Sequence, residues 1–280
     1  MHDPLLFSVI VLGGVAAYLG RRLWRWRQFR VLLESPFPEN WLSIVRRRLS
    51  FYDNMPVALQ KELQQHIKTF FFHKNFVGCA GLEVTEEMRI TIAACASLLL
   101  LNRPTSRFAK VRWIYVYPAE FIVRHTVQDA AGVVSEKNGV LAGEAWSNGR
   151  VILSWNDVEK SVHDFNDGYN VVLHEFAHQL DGESGATNGA PLLYSKGAYG
   201  TWATIMSREF AQLQQDSYFG NPSVLDSYGA TNPAEFFAVA TESFFEEPFE
   251  LAAEHPKLYK ELESYFHVDP RKWMKKSTRA

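Results

Sequence analysis

His174, Glu175 and His178 stand in the pattern His-Glu-x-x-His, inside a stretch that runs from Val171 to Gly182. On a helix of about 3.6 residues per turn, positions i and i+4 lie one turn apart on the same face, so two imidazoles at this spacing reach a single metal ion. Glu175 sits beside the first imidazole, where a carboxylate can hold and deprotonate a water on that ion without binding the ion itself. The competing reading is two core histidines bonded to their neighbours. It leaves Glu175 without a purpose in a helix whose other positions, Val171, Val172, Leu173, Phe176, Ala177 and Leu180, are apolar. Asp167 is the expected N-cap of this helix and Gly182 its stop.

A catalytic zinc centre takes three protein ligands and keeps one position open. The chain has no His-Glu-x-x-His-x-x-Gly-x-x-His continuation, so the third ligand comes from elsewhere. Glu235 and Glu242 stand one heptad apart on one face of a later helical stretch. Glu235 also reads as the N3 residue of a capping box begun by Asn232 and Pro233. Spacing alone does not choose between the two glutamates.

The elements that position these groups divide the 280 residues into an N-terminal segment, 1–35, and a main domain, 36–275. Within the main domain, residues 36–109 read as helical, with helices expected over 40–49, 56–72 and 85–101, the last opened by Thr85, Glu86 and Glu87. Residues 110–275 form the expected catalytic core. Four β-rich runs, 110–117, 121–127, 140–146 and 150–155, precede the metal helix. Asn138-Gly139 and Asn148-Gly149 between them carry the strongest hairpin-turn signal, which predicts a small, mainly antiparallel sheet. An edge strand of such a sheet could take an extended peptide by main-chain hydrogen bonds. Glycines at 182, 185, 189, 197 and 200 mark a segment able to wall the cleft, and 201–215 returns to a helical period.

Leu5 to Leu19 is apolar and uncharged, and Arg21, Arg22, Arg25, Arg27 and Arg30 follow with Trp24 and Trp26 interleaved. That pattern predicts an uncleaved apolar anchor helix contacting a membrane through residues 4–30, with the arginines keeping the downstream domain on the cytoplasmic side. The net charge of −2 leaves an acidic body behind these arginines, which argues against nucleic-acid binding. The two cysteines, Cys79 and Cys95, lack metal-binding spacing and read as core thiols.

The sequence resembles the Mlc titration factor A type zinc peptidases, whose catalytic domain is similar to that of anthrax lethal factor. The resemblance rests on His174-Glu-Phe-Ala-His178-Gln-Leu-Asp181 and on Tyr228 followed seven residues later by Glu235 in Asn-Pro-Ala-Glu-Phe-Phe-Ala, and it covers roughly residues 36–270. It implies a zincin-like α+β fold and one zinc ion held by His174, His178 and Glu235. It makes Tyr228 a donor to the oxyanion and leaves Glu242 an outer or structural role; Asp181 has two readings, orienting a ligand imidazole or serving as a polar helix end. It further implies aminopeptidase-like cleavage of a peptide or protein substrate and a transcriptional repressor as partner. The apolar segment, which the soluble enterobacterial members lack, adds an expected place at the cytoplasmic face of a bacterial inner membrane. Two other classes stand beside the enzyme: a membrane-associated protein that sequesters a regulator without proteolysis, and a purely structural metal site.

Overall fold

The computed structural model describes residues 4–103, 108–119, 121–128, 134–141, 143–146 and 149–276. The chain divides into two units, Met1–Pro38 and Glu39–Ala280.

The first unit is dominated by one helix, α1 (Pro4–Glu34). The expected apolar anchor is not borne out: among the described residues no helix is long and apolar enough to cross a membrane. The apolar run from Leu5 to Leu19 extends roughly 22 Å at 1.5 Å per residue, against a hydrocarbon core of about 30 Å. Arg21 and Arg22 follow in the same helix before that thickness is reached.

The second unit is mostly helical. Helices α2 (Glu39–Arg48), α3 (Val57–His73) and α4 (Glu86–Leu98) come first, and strand β1 (Asn75–Gly78) lies between the last two. Thr85 caps α4 by accepting from the Met88 amide at 3.2 Å. From Ile90 to Leu98 every α4 residue is buried, as expected of a helix that is apolar nearly all round.

The sheet differs from the antiparallel one that the sequence suggests. Strands β2 (Trp113–Tyr117), β5 (Gly143–Trp146) and β6 (Arg150–Ser154) join β1 in the order β1-β2-β6-β5. β1 pairs with β2 and β2 with β6 in parallel, with Trp113 opposite both Asn75 and Arg150. Only β5 runs antiparallel, on β6 at the edge. β1 is four residues tucked behind a long helix, and α4 lies between it and β2 as the crossover that a parallel pair requires. The expected turn at Asn138-Gly139 is not a turn either: both residues lie inside β4 (Val134–Leu141), opposite Arg124 and Val123 of β3 (Phe121–Gln128), in a separate antiparallel pair. At the second Asn-Gly pair, Gly149 has φ +75° in the β5–β6 connection, while Asn148 lies outside the described residues.

After the sheet come α5 (Trp155–His163), α6 (Val171–Asp181), α7 (Ala198–Phe219), α8 (Pro233–Glu246), α9 (Pro248–Glu254) and α10 (Pro256–Phe266). Helix α6 runs beside β5, α4 and α8. Phe176 of α6 meets Phe70 of α3 and Phe108, with ring centroids 5.6 and 4.8 Å away. Behind α8, Phe244 stacks on Phe266 and Phe237 meets Trp202 edge-on. Of the two thiols, Cys95 is buried and Cys79 is partly exposed.

Phe108 is held by an unusual device. The buried Lys74 ammonium donates to the carbonyls of Phe108 and Val111, at 2.5 and 2.8 Å. Burial lowers the Lys74 pKa to about 8. Between that value and the ordinary one the unfolded chain binds the extra proton, so this group makes stability rise as pH climbs from about 8 toward 10.5. Lys74→Met should lose that rise and, by stranding two carbonyls, cost about 1–3 kcal/mol at neutral pH. Denaturant titrations of both proteins at pH 7 and 9.5 measure it.

Candidate metal centre

The metal helix begins at Asn170. Its side-chain oxygen accepts from the Leu173 amide at 3.0 Å, its carbonyl accepts from the His174 amide, and Gly182 closes the other end. The expected cap, Asp167, instead accepts from the Tyr169 amide in the preceding turn. The signal that distinguishes them is distance: Asn170 lies three residues before Leu173, the reach of an N-cap side chain.

Helix α8 starts at Asn232, whose side-chain oxygen accepts from the amides of Ala234 and Glu235, with Pro233 in the first turn. Glu235 therefore has the N3 position, but its carboxylate reaches across to α6. Glu235 Oε2 lies 3.0 Å from His174 Nε2 and 3.3 Å from His178 Nε2, and the two Nε2 atoms are 3.2 Å apart. Donor atoms about 2.0–2.1 Å from a tetrahedral zinc stand roughly 3.3 Å from one another, so the three atoms fit a single ion. His174, His178 and Glu235 form the one such cluster among the described residues. Helix α7 and the Gly182–Ser184 turn contribute none of these donors.

Glu242, the other candidate, has a different place. Its carboxylate is 3% exposed and lies behind the histidine: Oε1 is 2.7 Å from His174 Nδ1, and Oε2 accepts from the Asn170 amide at 2.5 Å. Nδ1 bound to a carboxylate leaves Nε2 of His174 as the ring's free lone pair, aimed at Glu235. Burial opposes a cation on His174, yet Glu242 and Glu235 outweigh it and raise its pKa well above the usual imidazole value. For Glu235, burial works against ionisation, but the two histidines prevail and bring its pKa down to about 2. The cluster is thus arranged around positive charge.

Glu175 is buried in α6 beside these groups. Tyr228 sits on a short turn, Ser227–Ala230, begun by Asp226, and its ring centroid is 6.0 Å from that of His174. It is 55% exposed, so its phenol stands at the open side of the centre. Burial, followed by the negative charges of Glu235 and Glu175, raises its pKa and keeps the hydroxyl a donor.

Of its two readings, the contacts of Asp181 favour the polar helix end. Its Oδ2 accepts from the Gly189 amide at 2.7 Å, and His178 Nδ1 is buried with no hydrogen-bond partner among the described residues. The aspartate ties down the glycine-rich segment. Gly189 has φ +78°, its carbonyl accepts from Trp202, and a Cβ there would come 2.3 Å from the Pro233 carbonyl. That contact seats the segment on the first turn of α8, two residues from Glu235. Composition alone marks the glycines without saying which one is compressed.

A family model described as glucose-regulated metallopeptidase M90 matches residues 23–267. The uncharacterised protein slr2042 of Synechocystis sp. is 38% identical over 270 residues, covering 95% of this chain and 98% of its own length. Mlc titration factor A of Klebsiella pneumoniae is 31% identical, with 75% of this chain and 80% of that protein aligned. Its Yersinia pestis counterpart is 30% identical over 70% of this chain and 73% of its own.

Gly189→Ala should destabilise the metal-free protein by about 1–3 kcal/mol, through left-handed strain and the Pro233 clash. Gly197→Ala, with φ −68° and open space around it, should carry neither the strain nor the clash. Urea unfolding of the two variants separates them.

Proposed function

The chain belongs to the glucose-regulated metallopeptidase family M90, and from that premise we propose that it is a zinc-dependent peptidase with His174, His178 and Glu235 as metal ligands. The observation that carries the reading is the convergence of those three donor atoms within 4.8 Å of one another. Two imidazoles and one carboxylate are the donor set of hydrolytic rather than structural zinc. A zinc ion bound there supplies Lewis acidity and brings the pKa of its water to about 7.

The chain's own residues divide the remaining work. Glu175 takes the proton from the attacking water and passes it to the leaving amine as the peptide bond breaks. The Tyr228 phenol, on the exposed side, donates to the oxygen that becomes negative in the transition state. Glu242 holds the His174 ring through Nδ1. Strand β5, at the sheet edge among the described residues and beside α6, offers a main chain along which an extended substrate can lie. Aminopeptidase-like trimming of a peptide or protein is the narrower reading, and blocked against unblocked peptides distinguish it from internal cleavage.

A second reading is favoured by the name of the relatives. Mlc titration factor A says of those proteins that they titrate Mlc, and we extend to this chain a transcriptional regulator as binding partner. A pure sequestration protein has no use for the buried Glu175, which places catalysis ahead of binding alone.

Glu175→Gln should keep close to one zinc per chain and lose at least about a hundredfold of peptide cleavage, the usual size of a general-base contribution. Metal analysis and peptide turnover on one preparation check it. Cleavage retained by the variant removes Glu175 from the mechanism, and a parent protein inert toward a broad peptide library moves the assignment to the binding reading.

A further inference from the structure

Beneath the metal centre lies a second layer of buried polar groups to which catalysis as described assigns no task. Asn170 is fully buried, and Glu246 is 1% exposed. Asn170 uses every polar atom it has. Its carbonyl and side-chain oxygen start α6, its amide donates to Glu242 Oε2, and its Nδ2 donates to Glu246 Oε1 at 2.9 Å. Glu242 in turn holds His174 Nδ1. Glu246, Asn170, Glu242 and His174 are therefore joined in one line of hydrogen bonds that ends on a ligand.

We propose that Asn170 and Glu246 are positioning residues for the metal centre: their mutual hydrogen bond fixes the Asn170 amide that orients Glu242, and through it the ring of His174. The inference rests on the metal-peptidase reading above. A helix cap alone does not require asparagine, since aspartate and serine cap equally well. Only the amide both accepts from Leu173 and donates to Glu246. The second Glu246 oxygen is buried, with no close hydrogen-bond partner among the described residues and the Asp167 carboxyl beside the group, the environment of a neutral carboxylic acid rather than a carboxylate. Burial, with Asp167 and Glu242 nearby, raises its pKa well above the ordinary value, which agrees. A neutral acid at 246 accepts from Asn170 without adding a second negative charge beside Glu242.

Four variants test this by zinc affinity, measured in competition with a chelator, and by the visible spectrum of the cobalt-substituted protein. Asn170→Ser keeps the cap but is too short to reach Glu246, and should weaken zinc binding about tenfold or more, the usual effect of removing an outer hydrogen bond to a ligand, and shift the cobalt bands. Glu246→Ala should do the same, whereas Glu246→Gln, neutral and still an acceptor, should stay within about threefold of the parent. Combining Asn170→Asp with Glu246→Gln restores the bond with its direction reversed, and should recover most of the affinity and the parental spectrum. The inference is overturned if Asn170→Ser and Glu246→Ala match the parent in both readouts, or if the double variant is no better than Asn170→Ser. If Asn170→Ser fails to fold, the contrast between Glu246→Ala and Glu246→Gln decides. A parent that takes up no zinc removes the metal reading itself, whereas a parent that binds zinc and is indifferent to these changes removes only the positioning role.

Discussion

The centre depends on a polar seam between two helices that are otherwise packed with apolar side chains. Along α6 the seam reads His178, His174 and Asn170, and along α8 it reads Glu235, Glu242 and Glu246, the two running in opposite directions. Each of these groups taken alone carries a desolvation cost in the interior, and each is acceptable because the facing helix supplies its complement. Removing one member of such a pair leaves an uncompensated buried group, at a cost of about 3–5 kcal/mol where the partner is charged. The seam therefore fixes the relative register of α6 and α8 as much as it builds a binding site. The aromatic residues behind α8 and Phe176 behind α6 press the two helices together.

Two further ties make the arrangement directional. Asp181 and Gly189 fasten the glycine-rich segment over the first turn of α8, so Glu235 is fixed at its own helix start as well as by the two imidazoles it faces. Tyr228 and Glu235 are separated by the Asn232 cap, which turns the chain sharply enough to leave one side chain at the mouth of the centre and the other inside it. The interior place of Glu175 and the open-side place of Tyr228 suit the roles proposed for them, a base for a buried water and a donor to an entering carbonyl.

What the sequence made legible was local. The i, i+4 spacing of His174 and His178 and the buried character of their helix follow from periodicity, and the Asn-Pro start of α8 follows from capping chemistry. Glu235 and Glu242 could not be ranked by spacing, because both lie on the face turned toward α6; their depth along the seam separates them. Sheet direction was misread because Asn-Gly is only a local preference. The pairing of β3 with β4 absorbs Asn138-Gly139 into a strand, and β1 is recognisable as a strand only beside β2. The anchor was misread because the apolar run and its arginine and tryptophan flank together resemble a membrane pattern, whereas the helix carries those arginines before the run is long enough to cross. Asn170 was missed because its role is set by a partner 72 residues away in the chain.

The most direct measurement is a crystal structure of the zinc-loaded protein with anomalous data collected at the zinc edge. A single strong peak about 2.0–2.1 Å from His174 Nε2, His178 Nε2 and a Glu235 oxygen, with one light-atom neighbour completing four-fold coordination, is the result predicted here. An ion held elsewhere, or one bound by the two histidines with Glu235 turned away and no other donor in its place, would contradict it.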